Sequence, residues 1–228
     1  MGKFSKIFGA ILLISLMTGC TLFRTAPPLR QVPPKSRPPL VLLSFFPQKP
    51  KTEWIYQGFA EYGHRMALNS VVRSRDGSRI VHHISGRVED MSGGESTRNF
   101  HFKLRYTFTR NAVYETLVSA DTPFPHRIQN LKLLTLPLRK GVKWTQKVTM
   151  GGKKSTLRAE VMDYGARPDL GSKIVKVRYR VPMAGMPNGI YEEIREFAWR
   201  KGVYRFEKTF DPDPAIRFQY ILREVKIP

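Results

Sequence analysis

His101-Phe-Lys-Leu-Arg-Tyr-Thr-Phe108 alternates polar and apolar residues without a break, and that alternation decides the fold. Successive side chains of an extended chain point to opposite faces. Phe102, Leu104, Tyr106 and Phe108 therefore share one face, and His101, Lys103, Arg105 and Thr107 the other. Such a strand belongs to an antiparallel sheet with one side on a core and the other in water. Val175, Val177, Tyr179 and Val181 alternate with Lys176, Arg178 and Arg180 in the same way. Outward from these two, a period of two runs through Trp54 to Glu61, Arg65 to Ser74, Arg79 to Asp90, Ala112 to Ser119, Val142 to Met150, Lys154 to Asp163, Tyr191 to Arg200, Val203 to Phe210 and Ala215 to Lys226. Turn formers divide them: Asp76-Gly77, Ser92-Gly93-Gly94, Gly151-Gly152, Pro187-Asn188-Gly189, Lys201-Gly202 and Asp211-Pro-Asp-Pro214. Beyond the N-terminal region no helical period is convincing. Tyr191 to Phe197 comes nearest, but the Asn-Gly turn before it and its aromatic ending favour a strand.

About ten antiparallel strands cannot remain one flat sheet, because twist accumulates and the apolar face must be covered. The expected fold is therefore all-β: a strongly curved antiparallel sheet, closed or half-open as a barrel, with two packed five-stranded sheets as the second choice. Internal matches are consistent with a duplicated five-strand unit, residues 52–120 and 142–228. Arg110-Asn-Ala-Val-Tyr114 recurs as Arg200-Lys-Gly-Val-Tyr204, and Trp54 with Trp144 and Leu104-Arg105 with Ile194-Arg195 keep the same spacing. Arg87-Val88 with Arg180-Val181, and Arg79-Ile-Val81 with Lys173-Ile-Val175, match at slightly longer spacing. Thr122 to Lys140, with Pro123, Pro125 and Pro137, reads as the connection between copies.

Ahead of this body, Lys3 and Lys6 precede an apolar run, Ile7 to Met17, that is too short to span a bilayer. The run ends in Leu16-Met17-Thr18-Gly19-Cys20, which resembles a bacterial lipobox, although Met17 stands where Leu is usual. The resemblance implies a signal peptide over residues 1–19 and a lipidated Cys20 as the first residue of the mature chain. It places the protein in the cell envelope, on the extracytoplasmic side of a bacterial membrane. Acyl chains at about 0.8 kcal/mol per buried methylene would hold it there. Thr21 occupies the position where some bacteria use Asp for inner-membrane retention, which favours the outer membrane in a cell with two. Residues 20–51 carry Pro27, Pro28, Pro33, Pro34, Pro38, Pro39, Pro47 and Pro50, and read as an extended, basic tether to a domain over residues 52–228. Within it Leu40-Val-Leu-Leu-Ser-Phe-Phe46 is too apolar for a free linker and is expected to dock on the domain or on lipid.

Two further runs, W-x-Y-x-G-x-x-E-Y-x-H from Trp54 to His64 and L-P-L-R-K-G-V-K-W from Leu136 to Trp144, resemble a group of uncharacterised bacterial envelope lipoproteins. That resemblance implies an all-β extracytoplasmic domain and no particular chemistry.

Catalytic signals are sparse. His64, His82, His83, His101 and His126 do not converge by spacing, and His82 and His83, adjacent on a strand, face opposite sides. No nucleophile elbow, zinc signature or phosphate-binding glycine loop is present. The single cysteine is committed to lipid, so neither a disulfide framework nor a thiol nucleophile remains. Asp90-Met-Ser-Gly-Gly-Glu95 is too poor in ligands for calcium. Asp211 and Asp213 precede prolines as turn formers, and Glu53, Glu61, Glu192, Glu193 and Glu196 show no paired spacing. The expectation is a protein that is not an enzyme and has no metal or cofactor. The aromatics Trp54, Trp144, Trp199, Phe102, Phe108, Tyr106, Phe197, Phe206 and Phe218 read first as core and second as the lining of an acyl-chain cavity.

Charge is the feature that asks for a partner. The 228 residues hold 39 Lys and Arg against 18 Asp and Glu, a net charge of +21. Removing residues 1–19 deletes Lys3 and Lys6 and no acid, which leaves +19. Lys103 and Arg105 on one strand and Lys176, Arg178 and Arg180 on another form outward cationic stripes, the candidate anion-binding residues. Anionic lipid, a wall polymer or lipopolysaccharide, or an envelope protein partner, are the expected partners in that compartment. No nucleic acid is expected, since the compartment disfavours it and no recognition motif supports it. The first functional expectation is thus a membrane-anchored, non-catalytic binding or interaction module. The alternative is a lipid or lipoprotein carrier with an apolar cavity in its curved sheet.

Overall fold

Extended segments form where the period of two runs. The structure, a computed structural model, describes residues 37–58, 62–90, 100–121, 128–150, 152–209 and 217–228. All of them belong to one compact unit, residues 31–228, separate from a second unit, residues 1–30. Cys20, the Asp90 to Glu95 loop, Asp211, Asp213 and His126 lie outside the described residues or have side chains that do. Among the described residues there are thirteen strands: β1 (Glu53–Gln57), β2 (Tyr62–Arg73), β3 (Ile80–Asp90), β4 (Phe100–Phe108), β5 (Ala112–Ala120), β6 (Ile128–Gln129), β7 (Leu131–Thr135), β8 (Lys143–Met150), β9 (Lys153–Arg167), β10 (Ser172–Pro182), β11 (Ile190–Ala198), β12 (Gly202–Thr209) and β13 (Arg217–Lys226).

They make a single antiparallel sheet in the order β6-β8-β9-β10-β11-β12-β13-β1-β2-β3-β4-β5-β7. The two edges of that order are one stretch of chain, interrupted only at Asn130 in the left-handed conformation (φ 53°). β6 pairs with β8 through Ile128 and Met150, while β7 pairs with β5 through Thr135 and Ala112. The sheet therefore curls until its edges meet, which removes the exposed backbone that open edges carry. Where β8 parts from β7, the Gln146 side chain replaces the ladder: its Oε1 accepts from the Lys132 amide at 2.8 Å and its Nε2 donates to the Asn130 carbonyl. Register shifts at Ile55/Tyr56, Leu68/Ser70, Lys103/Leu104, Val113/Tyr114, Lys176/Val177 and Glu196/Phe197 are bulges that bend the strands into a barrel. Gly86 is opposite Phe102, and a Cβ there would lie 2.1 Å from the Phe102 ring, so only glycine leaves the ring its place.

β6 and β7 correct the sequence reading, which took this stretch as connection. Its prolines and the Asn130 break hide a strand whose Ile128, Leu131, Leu133 and Leu134 are all buried. The apolar run in the Pro-rich segment docks on the domain. Leu40–Leu43 makes a single helical turn, α1, and Leu42, Phe45 and Phe46 enter the end of the barrel. The Phe46 ring lies 5.3, 5.2 and 5.9 Å from the rings of Tyr106, Phe108 and Phe197. The amides of Arg200 and Gly202 donate to the carbonyls of Ser44 and Phe45 and fix the segment like a stopper. The last part of the stretch read as a tether is thus inside the fold.

The internal matches fare unevenly. Trp54 and Trp144 are each the second residue of a strand, β1 and β8. Trp54 is buried, with its indole N–H donating to the Lys201 carbonyl at 2.7 Å, whereas Trp144 is half-buried at the β8 seam with an unpaired indole N–H. Val113 and Val203 are both buried just after corresponding turns. Leu104-Arg105 and Ile194-Arg195 do not correspond, because Leu104 and Arg195 point inward while Arg105 and Ile194 do not. A one-residue change of phase turns every side chain to the other face.

Candidate functional site

The two cationic stripes are not brought together. β4 and β10 are separated by six strands on one side of the sheet order, so Lys103 and Arg105 lie across the barrel from Lys176, Arg178 and Arg180. The β10 stripe is also largely neutralised: Lys176 pairs with Glu196 at 3.1 Å, Arg178 with Glu160 at 2.9 Å and Arg180 with Glu192 at 2.7 Å. Sequence reading treated Glu192 and Glu196 as scattered, yet strand pairing sets Glu196 directly opposite Lys176 and Glu192 directly opposite Arg180. The cross-strand neighbour, invisible in the sequence, supplies the countercharge.

Two members of the stripe nevertheless join a groove of about 690 Å³ on the outer face of β8 to β11. Lys143 and Arg158 line it with Arg178 and Arg180, Glu160 is the carboxylate among them, and Pro182 and Ile190 form an apolar wall. Arg158 stands directly opposite Arg180 on β10 and opposite Thr145 on β8. Like charges directly opposed on one face of an antiparallel pair repel. Arg180 is relieved by Glu192 and Arg178 by Glu160, and among the described residues Arg158 has no carboxylate partner. Sequence reading missed Lys143 and Arg158, because neither sits on a strand with regular cationic alternation.

The interior holds a charged cluster that spacing did not reveal. Arg195 of β11 is 1% exposed and reaches across the lumen to Glu115 of β5, which is 3% exposed. Its Nη1 lies 2.9 Å from both Glu115 oxygens, and its Nε and Nη2 donate to Glu193 Oε2 at 3.1 and 2.8 Å. Tyr191 donates its hydroxyl to Glu193 at 2.7 Å, and the guanidinium lies over the Phe206 ring at 5.0 Å. Burial opposes the charge on Arg195, but Glu115 and Glu193 outweigh it and hold the guanidinium firmly protonated. Burial, in turn, pushes the hydroxyls of Tyr56, Tyr106 and Tyr179 well above the usual tyrosine range. Lys208, also buried, faces Glu193 across β11 and β12. Both carboxylates are thus occupied by the guanidinium, and the cluster ties opposite walls of the barrel.

The aromatics belong to this packed interior. Trp54, Phe102, Tyr106, Phe108, Phe197, Phe206 and Phe218 are core residues, and Trp144 and Trp199 pack against them. His82 is buried beside Phe108 and His83 is exposed, so the pair splits across the sheet as strand alternation requires. His64 stacks on Tyr56 at 4.3 Å. The two motifs of the sequence become the β1–β2 hairpin and the turn leading from β7 into β8.

No family model matches this chain, and no curated protein matches it either. Two solved structures resemble it in shape. One is a candidate lipoprotein of Parabacteroides distasonis, 13% identical, with a TM-score of 0.49. The other is a candidate exported protein with a YmcC-like fold from Bacteroides fragilis, 10% identical, also with a TM-score of 0.49. Each comparison covers 80% of this chain and 98% of the other.

Proposed function

We propose that this chain is a lipid-anchored, non-catalytic protein of the bacterial envelope that binds the phosphate or carboxylate groups of an anionic envelope polymer in the groove over β8 to β11. The observation that carries this reading is the opposed pair Arg158 and Arg180, with Arg158 left without a carboxylate. An anion seated between them relieves their repulsion and gains charge-assisted hydrogen bonds from two planar guanidinium groups. Lys143 and Arg178 share the single carboxylate of Glu160, at 3.8 and 2.9 Å, and so leave one net positive charge at the rim, while Pro182 and Ile190 give a sugar or acyl face something to rest on. The order of basic, apolar and small residues ending at Cys20 supports the anchor. The carrier alternative requires an apolar passage, and the Arg195, Glu115 and Glu193 cluster across the lumen argues against one.

The test is equilibrium binding of the full chain to a phosphate polymer and, separately, to a carboxylate polymer at several salt concentrations. Binding should weaken as salt rises, and Arg158→Glu should reduce it at least tenfold, while Lys103→Glu on the opposite wall leaves it unchanged. Equal losses in both variants would reduce the groove to an ordinary part of a diffuse positive field. The arm that binds identifies the anionic group.

A further inference from the structure

We infer that the end of the barrel closed by the N-terminal segment is a docking face for anionic phospholipid headgroups, a site distinct from the groove on the wall. Five described turns meet at that end: residues 74–79, 109–111, 136–142, 168–171 and 199–201. They expose Arg75, Arg79, Arg110, Arg139, Lys140 and Arg200 against two carboxylates, Asp76 and Asp169. No carboxylate pairs with any of those six cations among the described residues. The acids are already engaged. Asp76 accepts from the Ser74 hydroxyl at 2.6 Å and the Ser78 amide at 3.1 Å, and Asp169 pairs with Arg167 at 2.7 Å. At the opposite end the described turn residues, 58, 121, 152 and 183–189, carry no cation. Among the described turns the exposed cations therefore gather at one pole of the barrel, the pole at which Arg37 stands against Gly77.

Apolar groups stand among those charges. Leu40 of α1 is 83% exposed, the most exposed large hydrophobic residue among those described, and Val72 and Ile227 are exposed at the same end. Arg37 and Lys51 flank α1 and are exposed too. Basic residues around protruding aliphatic side chains suit the boundary between headgroup and acyl chain, where the cations meet phosphates and the aliphatic groups enter the apolar layer. The occupant follows from the chain itself. Residues 1–36, with the apolar run and Cys20, precede Arg37 in the chain, so a protein anchored through Cys20 is joined to its membrane at the Arg37 pole. Docking here leaves the groove over β8 to β11 on the side wall, open to its own ligand.

The experiment uses the full chain reconstituted in vesicles through its own N-terminal segment, with a polarity-sensitive dye on Leu40→Cys or on Asn188→Cys at the opposite end. In vesicles containing phosphatidylglycerol, brominated lipid should quench the dye at position 40 and spare the dye at position 188. Replacing Arg75, Arg110 and Arg139 together by Gln should lower the docked-to-undocked ratio about a hundredfold, the equivalent of about 1 kcal/mol for each basic residue near a charged surface. The melting temperature should stay unchanged, since all three side chains are exposed. Arg158→Glu should not alter quenching, so this face and the groove stand or fall separately. Equal quenching in purely zwitterionic vesicles, or quenching of position 188 in place of 40, would overturn the inference.

Discussion

Acid should loosen the seat of the N-terminal stopper through His82. That ring is 1% exposed, lies 4.6 Å from the Phe108 ring, and its Nε2 meets the Gln48 side-chain oxygen at 3.2 Å. Gln48 spends its amide hydrogens on the carbonyls of Leu43 and Phe46, at 3.1 and 2.9 Å, so one side chain joins the stopper to β3. Burial first, and then the positive charges of Arg73 and His83, pull the His82 pKa from 6.5 down to about 4. The unfolded chain accepts a proton near pH 6.5 while the folded chain refuses it until about pH 4. Stability from this group is therefore complete above pH 6.5 and declines by about 1.4 kcal/mol per pH unit below it. By pH 4 the loss reaches about 3 kcal/mol, against about 5 to 15 kcal/mol for a whole domain. Urea unfolding of the wild type and His82→Gln between pH 7.5 and 4 isolates this contribution, because the other titrating groups are common to both. The wild type's advantage should shrink by about 3 kcal/mol across that range. Parallel curves, or a His82 ring that titrates near 6.5 by NMR, would show that His82 does not carry this loss of stability.

Glu115→Gln should destabilise the fold by about 3 to 5 kcal/mol, because it strips one carboxylate from a buried guanidinium; a combined Glu115→Leu, Glu193→Leu, Arg195→Met, Lys208→Met chain, which leaves no buried charge of the cluster unpaired, should recover much of that loss in the same denaturation assay. Trp54→Ala should cost about 3 to 5 kcal/mol, whereas the half-buried Trp144 should cost clearly less, so two calorimetric scans should give unequal falls in melting temperature. Cys20→Ala should abolish acylation of the precursor, read as the absence of palmitate label and of the acyl mass.

Much of the fold was legible because burial on one face writes itself into the chain as alternation. His101 to Phe108 and Val175 to Val181 show it plainly, and the curling follows from strand number. β6 and β7 stayed hidden, since two and five residues broken at Asn130 are too short to display a period. The site was less legible for a related reason. A sequence shows which face a cation occupies but not which residue pairs across the next strand. Lys176, Arg178 and Arg180 therefore looked free when Glu196, Glu160 and Glu192 answer them, and Arg158 looked ordinary when Arg180 opposes it. Arg195 and Glu115 sit eighty residues apart, and only closure of the barrel brings them together.

The proposed function requires that ligand chemistry lie on the outer wall of the barrel and not in its lumen. Arginine-selective dicarbonyl labelling, read residue by residue by mass spectrometry, tests it most directly on the full chain with the anionic polymer and, separately, with a medium-chain fatty acid. The polymer should shield Arg158 and Arg180 and leave Arg105 on the far wall fully reactive, and the fatty acid should shield none of them. Shielding of Arg105 to the same degree, or tight uptake of the fatty acid with Arg158 still reactive under the polymer, would contradict it.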